Sequence, residues 1–155
     1  MASGRKSAYY IDIKKASTNP QVLSEIAEHM AMRISEIGLE VDLIAGVVLG
    51  SIPLAVALSL RTGIPFVMVR KEKKEHGTGK QIEGTLCQGA RVLVVEDVVT
   101  SAGSSVEAIG ILRAAGAQVA TVLTVIDRQE GGEERLKEIG VHLEPLLTAQ
   151  DVLRG

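Results

Sequence analysis

Glu96 and Asp97 stand side by side, and three residues later the chain turns small and hydroxyl-rich, Thr100-Ser101-Ala102-Gly103-Ser104-Ser105. Adjacent carboxylates can accept hydrogen bonds from the vicinal hydroxyls of a sugar, while a loop of small residues lets backbone N–H groups close on a phosphate. A lone acid at this point would suit a cap; two acids beside such a loop suit a sugar phosphate. A second set is Arg70-Lys71-Glu72-Lys73-Lys74-Glu75-His76. Alone, such a run is usually just a solvated loop.

These residues need elements to hold them. Val92 to Val95 is an unbroken, mostly β-branched run, the pattern of a strand buried on both faces of a parallel sheet. After the small-residue loop, Val106, Ile109, Leu112 and Arg113 keep a helical period until Gly116. Strand, loop and helix together form an anion cradle, since free N–H groups and the positive end of the helix dipole converge there.

The rest of the chain repeats this unit. Tyr9 to Ile13 reads as a short strand, and Asn19-Pro20 starts a helix that Gly38 stops. Leu43 to Leu49 predicts a strand closed by Gly50-Ser51, followed by a helix from Pro53 to about Arg61. Further strands are expected over Phe66 to Val69, Val119 to Ile126 and Val141 to Leu143, with a helix over Glu133 to Ile139 and a helical turn after Thr148. Alternating strands and helices predict an α/β domain with a Rossmann-like parallel sheet flanked by helices, and ligands at its carboxyl edge. Lys71 to Ala90 is the exception: it has no apolar period, and its length predicts a flexible lid or binding loop. Gly79-Lys80-Gln81 within it is not a phosphate-binding P-loop, because the upstream glycine and the following Ser or Thr are missing. His29 falls off the apolar stripe of its helix and reads as a solvated side chain.

Composition narrows the field. The chain of 155 residues reads as one domain, and with 46% hydrophobic but 2% aromatic residues its core must be aliphatic. A formal charge of −2 leaves no electrostatic footprint for nucleic acid. The single cysteine, Cys87, excludes an intrachain disulfide or multi-cysteine metal site and fits a reducing, cytoplasmic setting. No apolar run reaches the roughly 18–20 residues of a membrane span, and no signal-peptide core opens the chain.

The stretch from Val92 to Ser104, four apolar residues, two acids, two apolar residues and T-S-A-G-S, closely resembles the phosphoribosyl-diphosphate (PRPP) signature of type I phosphoribosyltransferases. Within that family the whole chain is similar to the orotate phosphoribosyltransferases. R-K-E-K-K-E-H-G-T-G resembles their catalytic lid, S-G-R-K-S-A-Y-Y-I-D their amino-terminal segment, A-G-V-V-L-G-S-I-P-L-A their pyrophosphate loop, and Asp127-Arg128-Gln129-Glu130 their base-recognition turn.

The resemblance implies transfer of ribose 5-phosphate from PRPP to orotate, giving orotidine 5′-monophosphate and pyrophosphate for UMP synthesis, with Mg²⁺. It implies that Arg70, Lys71, Lys74, His76, Gly50 and Ser51 meet the pyrophosphate, and that Glu96, Asp97 and the run Val98, Val99, Thr100, Ser101, Ala102, Gly103 and Ser104 hold the ribose phosphate. Lys71, Lys74, His76 and Asp97 would be the catalytic group, and Glu96 and Asp97 would reach Mg²⁺ directly or through water. Orotate would be met by Arg128, Thr100, Ser3, Tyr9 and Tyr10. It further implies a homodimer in which lid residues complete the partner's site.

Two departures stand out: some members carry a lysine where this chain reads Leu49-Gly50-Ser51, and Met1-Ala2 stands directly before Ser3 where the family typically has further residues including a helix, a start either naturally short or truncated. Two other readings stay open. One is a type I enzyme for a purine or uracil, which would not need Arg128. The other is a non-catalytic PRPP-sensing regulator, which would need no basic lid and would be expected to carry a DNA-binding face.

Overall fold

A computed structural model of the chain describes residues 12–72 and 79–154. Its centre is a six-stranded sheet built from β1 (Leu43–Val47), β2 (Phe66–Val69), β3 (Ile82–Glu83), β4 (Arg91–Val99), β5 (Gln118–Asp127) and β6 (His142–Thr148). The strand order is β3-β2-β1-β4-β5-β6, parallel throughout except for β3, which runs antiparallel on β2. The helices are α1 (Ile13–Ala16), α2 (Pro20–Glu36), α3 (Ile52–Thr62), α4 (Gly103–Ala114), α5 (Gly132–Glu138) and α6 (Ala149–Arg154).

Alternation along the strands sends apolar side chains to two cores. Val92 and Val94 of β4 join Ala108, Ile109 and Leu112 of α4 and Leu136 of α5 on one face. Leu93 and Val95 join Met30 of α2 and Leu54, Ala55 and Leu58 of α3 on the other. Burial of both faces explains why the strands carry apolar runs rather than alternating patterns. α3 lies so close to β1 that a Cβ on Gly46 would come within 2.9 Å of the Ala55 Cβ.

Local signals set the helix ends. The Asn19 side chain accepts from the backbone N–H groups of Gln21 (3.0 Å) and Val22 (3.2 Å), with Pro20 in the first turn of α2. At the sheet's amino edge, Asp42 accepts from the Arg91 backbone N–H and Nε, both at 2.9 Å, joining the starts of β1 and β4.

Five expectations change. Ile13 begins a helical turn instead of ending a strand; the remainder of the strand expected over 9–13, apart from Asp12, lies outside the described residues. β1 ends at Val47, two residues early. β4 runs on to Val99, because Glu96, Val98 and Val99 still pair with Thr124, Ile126 and Asp127 of β5. Between 79 and 90 the chain is not wholly a lid: Ile82 and Glu83 pair with Val69 and Met68, and Ile82, Leu86 and Ala90 pack on the core. β6 is likewise longer than expected, with its second half carried by pairing to β5.

Candidate active site

The strand order changes direction between β1 and β4: the chain moves outward from β1 to β2 and β3, then returns to place β4 on β1's other side. In open parallel sheets such a switch leaves a crevice at the strands' carboxyl ends, because the connecting segments diverge. Here the β1–β4 ladder stops at the Gly46–Val95 pair, while β4 stays paired to β5 as far as Val99. Glu96 and Asp97 therefore sit where β4 has lost its neighbour on one side.

Glu96 is buried, and its Oε2 accepts from the Ser105 hydroxyl at 2.8 Å. Burial pushes its pKa up to about 7, with the neighbouring Asp97 charge adding to the rise; the Ser105 hydrogen bond, the Lys71 charge and the Ser51 hydroxyl oppose it. Asp97 is half-buried, its Oδ1 accepts from the Val98 N–H at 2.9 Å, and its carbonyl accepts from Thr124 Oγ1 at 3.3 Å. The backbone of the acid pair is thus held by β5 while one carboxylate is buried and the other faces the crevice edge.

β1 leaves the sheet through a cis Val48–Leu49 peptide into Gly50 and Ser51. Ser51 is buried; its hydroxyl accepts from the Val47 N–H at 2.7 Å. The hydroxyl proton has two acceptors in reach, the Val47 carbonyl at 3.0 Å and the Glu96 carboxylate.

Across the crevice, Ala102 adopts a left-handed conformation (φ 69) as the N-cap of α4 and makes no side-chain cap bond. The first N–H groups of α4 are consequently offered to a ligand. Thr100 and Ser104 are half-buried and Ser101 is exposed. Val99 is a core side chain and Val98 packs against the other core, so these two contribute backbone to the crevice.

Arg70 and Lys71 follow β2 directly. The Arg70 Nε is buried and without a hydrogen-bond partner among the described residues, an arrangement that awaits an acceptor. Gln81 clasps the base of the lid: its carbonyl accepts from the Arg70 N–H at 2.7 Å, and its side-chain amide donates to the Lys71 carbonyl at 2.9 Å. After β5, Asp127 Oδ1 accepts from the Gln129 N–H (2.8 Å), and the Arg128 N–H donates to the Val99 carbonyl (2.9 Å). This turn is therefore fastened to the end of β4, and the Arg128 guanidinium lies 3.4 Å from Glu130.

Gly50, Ser51, Arg70, Lys71, Glu96, Asp97, Thr100 to Ser104 and Arg128 thus lie on loops and strand ends at the sheet's carboxyl edge. Lys74, His76, Ser3, Tyr9 and Tyr10 lie outside the described residues. Among the described residues no three His, Cys, Asp or Glu side chains cluster as a metal cage. The acid pair could instead take a share of a hard cation that keeps waters and substrate oxygens. Sequence reasoning missed Ser105 and Gln81. Ser105 closes the hydroxyl-rich run and could have been found there, whereas nothing in the types around Gln81 marks it out.

Residues 13–145 match the family described as phosphoribosyl transferase domain. The chain is 51% identical over 154 residues to the orotate phosphoribosyltransferase of Methanosarcina acetivorans, covering 99% of this chain and 81% of that one. The crystal structure of orotate phosphoribosyltransferase from Aeropyrum pernix superposes with a TM-score of 0.81 at 31% identity, over 94% of this chain and 81% of that one. The Mycobacterium tuberculosis orotate phosphoribosyltransferase, in complex with PRPP, superposes with a TM-score of 0.79 at 29% identity, over 92% of this chain and 83% of that one.

Proposed function

The chain belongs to the phosphoribosyl transferase domain family, and we propose that it transfers the ribose 5-phosphate of PRPP to orotate, releasing pyrophosphate and orotidine 5′-monophosphate for pyrimidine synthesis. The observation that carries this reading is the meeting, at one sheet edge, of an acid pair, an open helix N-terminus and the Arg70-Lys71 cations. Similarity to enzymes named as orotate phosphoribosyltransferases supports the base.

Displacement at the anomeric carbon passes through a cationic, oxocarbenium-like ribose, so no protein nucleophile is required. The work lies in fixing geometry and taking up the charge of the leaving pyrophosphate. Thr100 to Ser104 hold the 5′-phosphate by N–H and hydroxyl donors. Asp97 and Glu96 accept from the ribose hydroxyls. Arg70 and Lys71 neutralise the pyrophosphate from the side of β2, with the Gly50-Ser51 turn beside it and Lys74 and His76 arriving from the lid. Arg128 pairs with the orotate carboxylate, and Thr100, Ser3, Tyr9 and Tyr10 complete the base site.

Mg²⁺ suits the donor set, since Glu96 and Asp97 would supply carboxylate oxygen without a cage; bound with PRPP, it would add positive charge to help take up that of the leaving pyrophosphate. The reading takes the chain as one catalytic domain working as a homodimer in the cytoplasm, with lid residues completing the partner's site. None of the helices among the described residues is long and apolar enough to cross a membrane.

A panel of bases with PRPP and Mg²⁺ tests the reading. Orotate should be consumed, and uracil, lacking the carboxylate, should react at least ~100-fold more slowly, because it brings no anionic group to the Arg128 guanidinium. Equal rates with uracil or hypoxanthine would remove orotate and leave a phosphoribosyltransferase for another base. PRPP binding without turnover of any base would favour the sensing regulator.

A further inference from the structure

We propose that Arg135, on α5, is a side-chain ligand of the 5′-phosphate and supplies the positive charge that the backbone cradle lacks. The inference rests on reading the loop from Thr100 to Ser105 as that cradle, and deepens it.

α5 is docked directly against the loop. A Cβ on Gly132, its first residue, would lie 2.6 Å from Val99 Cγ1 and 2.8 Å from the Thr100 carbonyl, so the helix end can approach only because that residue is glycine. Residues three apart share a helix face, and Arg135 is three after Gly132. Its Nη1 lies 3.6 Å from the position a Cβ on Gly103 would take. Gly103 is the first residue of α4, where the free N–H groups converge. The guanidinium therefore lies beside the first residue of α4, within reach of a phosphate held there.

Nothing among the described residues competes for it: no hydrogen bond or ion pair engages the Arg135 side chain. Glu133, Glu134 and Glu138 share its helix and are exposed. The loop's own donors, N–H groups and the hydroxyls of Thr100, Ser101 and Ser104, are neutral. Lys71 lies where its charge acts on Glu96. A phosphate dianion held only by neutral donors gains from a guanidinium that offers two N–H groups in a plane. In the sequence, Glu133 to Ile139 reads only as a short helix, so the docking of Gly132 is what reveals the role.

The test uses the two halves of PRPP as separate probes. Ribose 5-phosphate and pyrophosphate are titrated by calorimetry into wild type, Arg135→Gln and Arg135→Lys at low salt, with circular dichroism confirming the fold of each. Arg135→Gln should weaken ribose 5-phosphate by about tenfold and Arg135→Lys by less, with pyrophosphate unchanged and the deficit shrinking as salt screens the pair. In turnover, KM for PRPP should rise with kcat nearly constant. Unchanged ribose 5-phosphate binding in Arg135→Gln, or equal losses for both probes, would overturn the role of Arg135 alone. A wild type that binds pyrophosphate but not ribose 5-phosphate would overturn the cradle reading beneath it as well.

Discussion

Replacing Glu96 by glutamine should make the free protein more stable at neutral pH while damaging its activity. Glu96 is 6% exposed, and its pKa is raised from 4.5 to about 7, chiefly by burial. At ~1.4 kcal/mol per pH unit that displacement corresponds to about 3 kcal/mol. Its sign follows from which state holds the proton. Below pH 4.5 both folded and unfolded chains are protonated here, and the carboxyl costs nothing through ionisation. Between 4.5 and 7 the folded chain keeps a proton that the unfolded chain has released, so stability falls as pH rises. Above 7 the fold carries an ionised, buried carboxylate and the whole cost.

Glutamine preserves the shape and can still accept from the Ser105 hydroxyl, but it does not titrate. The stability difference between Glu96→Gln and wild type should therefore grow from near zero at pH 4.5 to about 3 kcal/mol at pH 8. Urea unfolding at half-unit pH steps, without PRPP or Mg²⁺, measures it. Two stability curves that stay parallel across this range would refute the reasoning, since Glu96 would then titrate as an ordinary carboxyl. The gain should come with a loss, because the neutral amide accepts ribose hydroxyls and a cation more weakly than a carboxylate does.

Asp97→Asn should lower PRPP turnover at least ~10-fold while circular dichroism reports an intact fold, the scale of one lost charge-assisted hydrogen bond; wild-type kinetics in this variant would reduce the acid pair to strand-end caps. If lid residues act across a two-fold dimer, mixing inactive Lys74→Ala with inactive Asp97→Asn under subunit exchange should restore activity towards about a quarter of wild type, because a mixed dimer has one doubly lesioned and one intact site. A mixture that stays inactive despite demonstrated exchange would place the lid in its own subunit's site.

Much of the architecture could be read from residue types because both faces of the sheet are buried. Phe66 to Val69 forms the expected strand, and Asn19-Pro20 starts the expected helix. The hydroxyl-rich loop does open α4. What escaped depended on partners distant in sequence. Glu96 and Asp97 look like the end of a strand because charges rarely sit inside one, yet pairing to Thr124 and its neighbours keeps β4 extended. Ile82-Glu83 is too short to show a period and becomes a strand only against Val69 and Met68. Arg135 and Gln81 carry no signature, since an arginine on a charged helix and an amide in a glycine-rich loop are commonplace until the fold sets them beside α4 and Arg70.

The unequal lengths of β1 and β4 are what open the crevice, and one small side chain ends the shorter strand. At Val47 the backbone N–H faces the β4 side, where the next rung of the ladder would have lain beside Glu96. The buried Ser51 hydroxyl takes that N–H at 2.7 Å and returns to the Val47 carbonyl at 3.0 Å. Both polar groups of the last β1 residue are thereby satisfied locally, as burial requires. β4 then continues alone on that side, paired only to β5. Had β1 and β4 ended level, Glu96 would have been enclosed between paired strands, with its desolvation cost uncompensated and no route to a sugar hydroxyl. Ser51, whose N–H also donates to the Val47 carbonyl at 3.4 Å, thus holds open the space in which the ribose would lie.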